Sequence, residues 1–178
     1  VSGADSVNGG AGSDTLKMFG SAALPNMTSI ENLEIHNVSP GDVDLSTTVL
    51  TQVTSLTVDG FTVAGQTITT KAGDVVKLSD VTGAGADFNI ASAATVTAVT
   101  LEVDGSGVSG TAVDFQVAGT GVTTINIDSS GTKASFIDID TVAATTTVDI
   151  DATTALTIEN IEVAKTIDAS GSTAAVTI

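Results

Sequence analysis

Residues 9–17 read Gly-Gly-Ala-Gly-Ser-Asp-Thr-Leu-Lys, and the interpretation of the whole chain begins from this stretch. It matches the nonapeptide G-G-x-G-x-D-x-U-x at every specified position, where U is a large apolar residue. The same pattern recurs in part nine residues upstream, where the matching residues are Gly3, Asp5 and Val7. A pattern that occurs once in full and once in part indicates a structural repeat.

The residue types of this stretch suit a hard cation. Glycine allows a tight turn that points carbonyl oxygens inward, and aspartate adds an anionic oxygen, which together suit Ca²⁺. The sequence therefore predicts calcium ligands from residues Gly3, Asp5, Gly10, Gly12 and Asp14. The alternative is a surface turn closed by an aspartate hydrogen bond. Leu16 begins a short strand that one coil cannot bury alone, so stacked neighbours are expected.

A second motif follows at residues 30–35, Ile-Glu-Asn-Leu-Glu-Ile, and leads into a long tract rich in Thr, Ala, Gly and Val. With the nonapeptide, this order resembles the RTX family of secreted calcium-binding proteins. It is most similar to the C-terminal part of RTX-type bacterial S-layer proteins of the Caulobacter kind. The specific resemblance covers residues 1–35 and is compositional beyond them.

The resemblance implies an extracellular protein at the cell surface, exported by type I secretion. It also implies that one calcium ion takes ligands from turns two repeats apart, so Asp5 and Asp14 lie on opposite edges and a complete site needs residues before Val1. It divides the chain into a calcium-binding repeat and loop at 1–28 and a degenerate solenoid at 29–178. A near copy of the second motif, at 158–163, marks a possible new segment.

Composition limits the partners. The 178 residues suit one domain or one run of coils, and the start at Val1 suggests a piece of a longer protein. The 21 acidic residues against five lysines give a net charge of −16, and Arg, Trp, Tyr and Cys are absent. Nucleic acid is therefore excluded, and divalent cations are the natural partners. No apolar run is long enough for membrane insertion.

Strands are expected almost throughout, because Thr, Val and Ile make up 65 residues and lose rotamer freedom in helices. One strand family begins at Leu56, near Val76, and at Leu101, Ile125 and Val148. A second includes Val43, Val63 or Ile68, and the strands near residues 88, 115, 137, 156 and 176. Two alternating strands per coil of 20–25 residues predict an all-β parallel β-solenoid.

The sequence also allows one alternative architecture and predicts several local features. A sandwich of hairpins is the competing architecture, with Asp59-Gly60 and Asp104-Gly105 as possible tight turns. Residues 18–26 are expected to form a loop, and residues 46–53 are the one candidate for a helical turn. Phe88 and Phe115 are expected to stack in the core. His36, the single histidine, is expected to be exposed.

Four strand-end aspartates are further candidate calcium ligands: Asp59, Asp104, Asp128 and Asp151. We expect them to occupy equivalent positions in successive coils, so that stacking would align their carboxylates in a row about 5 Å apart. A cation would relieve the repulsion of roughly 0.8 kcal/mol between neighbours in water. The simpler alternative is that each aspartate caps its own turn.

The chain is expected to be structural and not an enzyme. Asp138 with Asp140, and Asp149 with Asp151, place paired carboxylates on one strand face, as in some β-helix polysaccharide-degrading enzymes. The chain lacks the Arg, Trp and Tyr that such clefts use. The expected function is a calcium-dependent, self-assembling S-layer component. Its expected partners are copies of itself in a lattice, and cell-surface polysaccharide is a further candidate partner through other domains. A stalk or adhesive section of a large RTX adhesin is the alternative.

Overall fold

The computed structural model shows a parallel β-solenoid, as the repeat predicts. The structure describes residues 5–20, 24–37, 41–60, 65–82, 87–141, 144–145, 147–162 and 164–178. The predicted calcium ligand Gly3, and Val63, the alternative to Ile68 in the second strand family, lie outside these residues. Within them, no helix is long and apolar enough to cross a membrane.

Seventeen strands follow one another along the described chain and alternate between the faces of the stack. In order they are β1 (Ser6–Asn8), β2 (Thr15–Phe19), β3 (Asn26–Thr28), β4 (Asn32–His36), β5 (Val43–Asp44), β6 (Ser55–Asp59), β7 (Gln66–Thr70), β8 (Val75–Ser79), β9 (Asp87–Ser92), β10 (Ala98–Asp104), β11 (Val113–Ala118), β12 (Thr124–Ser129), β13 (Ser135–Asp140), β14 (Thr147–Ala152), β15 (Leu156–Ile161), β16 (Thr166–Asp168) and β17 (Val176–Thr177).

Every strand pairing in the described chain is parallel. The even-numbered strands from β2 to β16 form an eight-stranded sheet, called here sheet B, and the odd-numbered strands from β5 to β17 form a seven-stranded sheet, called here sheet C. β1 and β3 pair separately. Aligned core residues of sheet B from β6 to β14 recur about every 20 to 26 residues. This order confirms the solenoid and overturns the hairpin sandwich.

Each strand alternates buried and outward-facing residues, because successive side chains of a strand point to opposite faces. Leu33, Leu56, Val76, Leu101 and Ile127 align in one column of sheet B, and all are fully buried. Burying a side chain of this size contributes roughly 1.5–3 kcal/mol. A neighbouring coil must supply much of that burial, so the coils stabilise one another.

Sheet C packs its own column against the same core. Phe88 and Phe115 are register partners, are fully buried, and place their ring centroids 6.3 Å apart at an interplanar angle of 36°. This tilted packing confirms the predicted core role of the two rings. β8 confirms the intermediate strand expected near Val76, and β7 contains Ile68.

Two local predictions are wrong. Residues 18 and 19 end β2 instead of opening a loop, because Met18 is buried against its register partner Ile35, and Asn26 begins β3. The stretch 46–53 is a run of turns and not a helical turn. Its backbone bonds, Thr47 N to Asp44 O, Leu50 N to Thr47 O and Val53 N to Leu50 O, each span three residues.

The two Asp-Gly pairs turn corners of the solenoid and do not close hairpins. The N–H of Gly60 donates to the carbonyl of Ser79 in the next coil at 2.9 Å, and the N–H of Gly105 donates to the carbonyl of Lys133 at 3.3 Å. The hydrogen-bond ladder therefore continues around the corner beyond sheet B.

Gly107 and Gly110 lie in one loop but differ in how closely they approach the adjacent coil. Gly107 and Gly110 have nearly equal φ angles, 74° and 76°, but a methyl group on Gly107 would overlap the carbonyl oxygen of Phe136, whereas one on Gly110 would meet nothing within 4 Å. Gly110→Ala should cost about 1–2 kcal/mol, the penalty of the left-handed backbone. Gly107→Ala should cost at least about 2 kcal/mol more.

Urea unfolding of both variants measures the difference, and Gly110→Ala serves as the control for backbone strain. Equal losses of unfolding free energy would contradict the close contact between these coils.

Candidate functional site

The glycine-aspartate turn at residues 9–14 joins β1 to β2 at the start of the described stack. Gly10 and Gly12 have φ angles of 90° and 126°, which L side chains rarely adopt. Gly9 is needed for space, because a methyl group there would overlap the carbonyl oxygen of Ser29 and lie 2.5 Å from Asp14 Cβ. The glycines therefore shape the turn and leave room for the Asp14 side chain.

Asp14 is anchored through its backbone to the following coil. Its carbonyl oxygen accepts hydrogen bonds from the N–H of Glu31 at 3.2 Å and of Asn32 at 3.0 Å. Its own N–H donates to Glu31 Oε2 at 2.8 Å. In contrast, Asp14 Oδ2 is buried and has no hydrogen-bond partner in the described chain. A buried, unpaired carboxylate oxygen is costly unless a cation or donor satisfies it.

These features fit part of a calcium site. An unpaired carboxylate oxygen beside a glycine-shaped turn is a suitable donor for a hard cation. The described residues contain no group of three or more His, Cys, Asp or Glu side chains that could hold a metal ion. Asp14 with carbonyl groups of its turn would therefore supply some of the ligands, and other ligands would have to come from elsewhere.

Asp5 and Asp14 do not lie at the same site. Asp5 directly precedes β1, and its carbonyl oxygen accepts a hydrogen bond from Asn26 N at 2.9 Å. Asp14 directly precedes β2, which lies in a different sheet. The two aspartates therefore sit at different corners of the coil, as the repeat implies.

The four strand-end aspartates lie in two rows and not in the single predicted register. Asp59 and Asp104 are both partners of Ser79, so they share one row. Asp128 pairs with Glu102 and with Asp151, two positions earlier along the strand. The single-register prediction is wrong because a slip of two residues keeps every side chain on the same face, so alternation alone cannot detect it.

Asp59 and Asp104 already have protein partners. Asp59 Oδ2 lies 2.7 Å from His36 Nδ1. Asp104 Oδ1 accepts the N–H groups of Thr132 at 3.1 Å and Lys133 at 3.2 Å, which makes it the cap of the next corner. The simpler alternative placed each cap on its own turn, whereas Asp104 caps the corner of the next coil.

His36 is not simply exposed, as the sequence suggested. Its side chain is only 15% accessible, its Nε2 lies 3.1 Å from Glu34 Oε2, and its ring stacks on Phe19 at a centroid distance of 4.7 Å. Lys17 completes the group through a 2.7 Å ion pair with Glu34, a contact that lowers the pKa of Glu34. These contacts hold β2 to β4 and β6 on the outer face of sheet B.

Sheet C carries an acidic row that the sequence reasoning missed. Asp87, Asp114 and Asp138 are register partners on β9, β11 and β13. Asp114 Oδ1 and Asp138 Oδ1 are buried atoms with no hydrogen-bond partner in the described chain. Aligning the similar stretches Asp-Phe-Asn-Ile at 87–90 and Asp-Phe-Gln-Val at 114–117 would have placed the first two acids together.

Burial and nearby negative charges raise the pKa of three outward-facing aspartates, Asp114 and Asp138 on sheet C and Asp128 on sheet B. The pKa of Asp114 is raised by burial first and then by Asp140, Asp87 and Asp138. The pKa of Asp138 is raised by burial, then by Glu159 and Asp140. On sheet B, burial followed by Glu102, Asp151 and Asp149 raises the pKa of Asp128. Both faces therefore concentrate negative charge.

The paired carboxylates of β13 and β14 lie on outward faces, as expected from strand alternation. Asp138 and Asp140 face out from sheet C, and Asp149 and Asp151 face out from sheet B. The two pairs therefore belong to different sheets.

No protein-family model matches the chain, and none of the curated proteins or solved structures compared with it is similar enough to count as a match. The fold and the turn alone define its class. It is a parallel β-solenoid with a glycine-aspartate turn at the start of its described coils and acidic outer faces.

The acidic row of sheet C predicts a specific pH dependence. Raised pKa values mean that the folded chain binds protons at Asp114 and Asp138 more tightly than the unfolded chain does. The row therefore lowers stability at neutral pH, and this cost disappears as the pH falls through the raised pKa values toward 3.8. Asp114→Asn should stabilise the chain at pH 7 by roughly 1 kcal/mol, the repulsion from one near neighbour in water.

Melting curves of both proteins between pH 7 and pH 4 test this, and the gain should shrink as the pH falls. Glu162→Gln is the control, because it removes one charge from an exposed side chain. A destabilised Asp114→Asn at pH 7, or an equal gain in the control, would contradict the prediction.

Proposed function

We propose that this chain is a structural segment of a secreted bacterial surface layer that folds and assembles in a calcium-dependent way. One observation carries the proposal. A glycine-shaped turn at the start of the described coils holds a buried, unpaired Asp14 oxygen, the group that a calcium ion would satisfy. The sequence resemblance of residues 1–35 to RTX-type S-layer proteins supports the same reading.

The charge distribution gives calcium a second role. A chain with a net charge of −16 and carboxylate rows on both sheets repels copies of itself. Divalent cations screen and bridge such surfaces. Calcium is scarce in cytosol and abundant outside cells, so assembly would follow export, which the resemblance assigns to type I secretion.

The proposed partners are copies of this protein in a lattice. The outward faces of a stacked solenoid repeat regularly along the stack and can make repeated contacts. Attachment to cell-surface polysaccharide would fall to other domains of a longer protein.

A stalk section of a large RTX adhesin is the second candidate. The observation that favours it is the single stacking direction of the coils, since every strand pairing in the described chain is parallel. Such a stack lengthens in one direction and could hold a binding tip away from the cell. In this case calcium would stiffen the rod and would not drive lattice formation.

Calcium-dependent melting tests the cation part of the proposal. Calcium at one hundred times its dissociation constant should add about 2.7 kcal/mol of stability. For a domain of this size that corresponds to a rise in Tm of about 5–10 °C. Asp14→Asn should lose most of this rise, because it removes the anionic oxygen.

Asp168→Asn is the matched control for that experiment. Asp168 also precedes a turn, where its Oδ1 accepts the Ser170 N–H at 2.9 Å, but it lies at the opposite end of the stack. The control should keep the full calcium response. A wild-type melt that is unchanged between excess calcium and excess EGTA would contradict the proposal.

Electron microscopy separates the two candidates. The full-length protein should form two-dimensional arrays in millimolar calcium and lose them in EGTA if it builds a surface layer. Separate rods under both conditions would contradict lattice formation and favour the stalk.

A further inference from the structure

We propose that Glu31 is a positioning residue for the cation at the 9–14 turn and that it couples cation binding to the stacking of the next coil. The inference rests on the proposed calcium role of Asp14. Glu31 lies directly before β4, and its carboxylate crosses to the preceding coil to accept the Asp14 N–H at 2.8 Å.

Glu31 is part of a set of bonds that fixes the backbone of Asp14. The Asp14 carbonyl accepts the N–H groups of Glu31 and Asn32, and Asn32 Nδ2 lies 3.3 Å from the same oxygen. Asn32 Nδ2 also lies 3.1 Å from Ser13 Oγ. The next coil therefore occupies the backbone donor and acceptor of Asp14 and leaves its side-chain oxygen Oδ2 for a cation.

The hydrogen bond that the Glu31 carboxylate accepts from the Asp14 N–H is the strongest of this set. Its acceptor is a carboxylate, and hydrogen bonds to charged groups are shorter and about twice as strong as neutral ones. Groups that orient a metal ligand without touching the metal commonly change metal affinity by about 10-fold to 100-fold when removed. Loss of Glu31 should therefore let the Asp14 carboxylate move and weaken the cation site.

Coupling also runs in the opposite direction. If a cation holds the 9–14 turn in its bound shape, the Asp14 N–H is held in position for Glu31, and β4 docks more readily on β2. A cation at the first coil would in this way favour the stacking of the coils that follow it.

The chain supplies its own control for this role. Residues 158–160 repeat the Ile-Glu-Asn of residues 30–32, and Glu159 Oε1 accepts the Gly110 N–H at 2.8 Å. Glu159 thus makes the same type of bond to an earlier loop, far along the stack from the 9–14 turn. Its removal should leave the cation site unaffected.

The experiment titrates CaCl2 into the full-length protein and reads the apparent calcium affinity from the rise in Tm. Glu31→Ala should weaken this affinity about 10-fold to 100-fold. Glu31→Gln keeps an acceptor oxygen and should remain within a few-fold of the wild type. Glu159→Ala should keep the wild-type calcium affinity.

Three results would overturn the inference. Wild-type affinity in Glu31→Ala would remove any role of Glu31, and equal weakening in Glu31→Gln and Glu31→Ala would make its charge, not its hydrogen bond, the active feature. A wild type without any calcium response would defeat the proposed function and this inference with it. If Glu31→Ala does not fold, Glu31→Asp, which shortens the side chain by one methylene, replaces it with the same expectation.

Discussion

The structure depends on one constraint: no coil can bury its own inward side chains. Each coil contributes two short strands, and side chains such as Leu56 and Phe88 are fully buried only because coils stack in register on both sides. Stability therefore comes from contacts between neighbours, as in other solenoid architectures. A disturbance at one corner, such as added volume at Gly107, acts on the contact between two coils.

The same register also determines which side chains are neighbours on the outer faces of the sheets. Parallel stacking aligns residues of equal position, so acids come to lie beside acids, as in the sheet C row. In sheet B one row runs from Lys17 through Glu34, Thr57, Lys77, Glu102 and Asp128 to Asp151. Lys17 pairs with Glu34 and Lys77 pairs with Glu102, whereas Asp128 and Asp151 follow in the row with no lysine in register beside them. The later coils therefore carry more uncompensated negative charge on this face.

Much of the fold could be predicted from the sequence, because alternation of apolar and polar residues and a period of 20–25 residues depend only on local spacing. The predictions failed where contacts between coils determine the neighbours of a residue. Alternation repeats every two residues, so it could not distinguish Asp128 beside Glu102 from Asp128 beside Asp104. The environment of His36 depends on Phe19 and Asp59, which come from neighbouring coils. The glycine-aspartate turn was visible from its motif, but its hydrogen bond to Glu31 could be found only from the stacking of the coils.

Disulfide trapping of neighbouring coils tests the central claim most directly, because the chain has no cysteine of its own. Ala91 and Ala118 are register partners on the adjacent strands β9 and β11, whereas Gln116 lies two positions from Ala118. Partners in a parallel pair lie about 5 Å apart, within disulfide reach, and a two-residue offset moves the Cα atoms beyond about 7 Å. Mild oxidation of Ala91→Cys with Ala118→Cys should give rapid, near-complete cross-linking, and Ala91→Cys with Gln116→Cys should give little. Equal cross-linking of the two pairs, or preference for the offset pair, would contradict in-register parallel stacking.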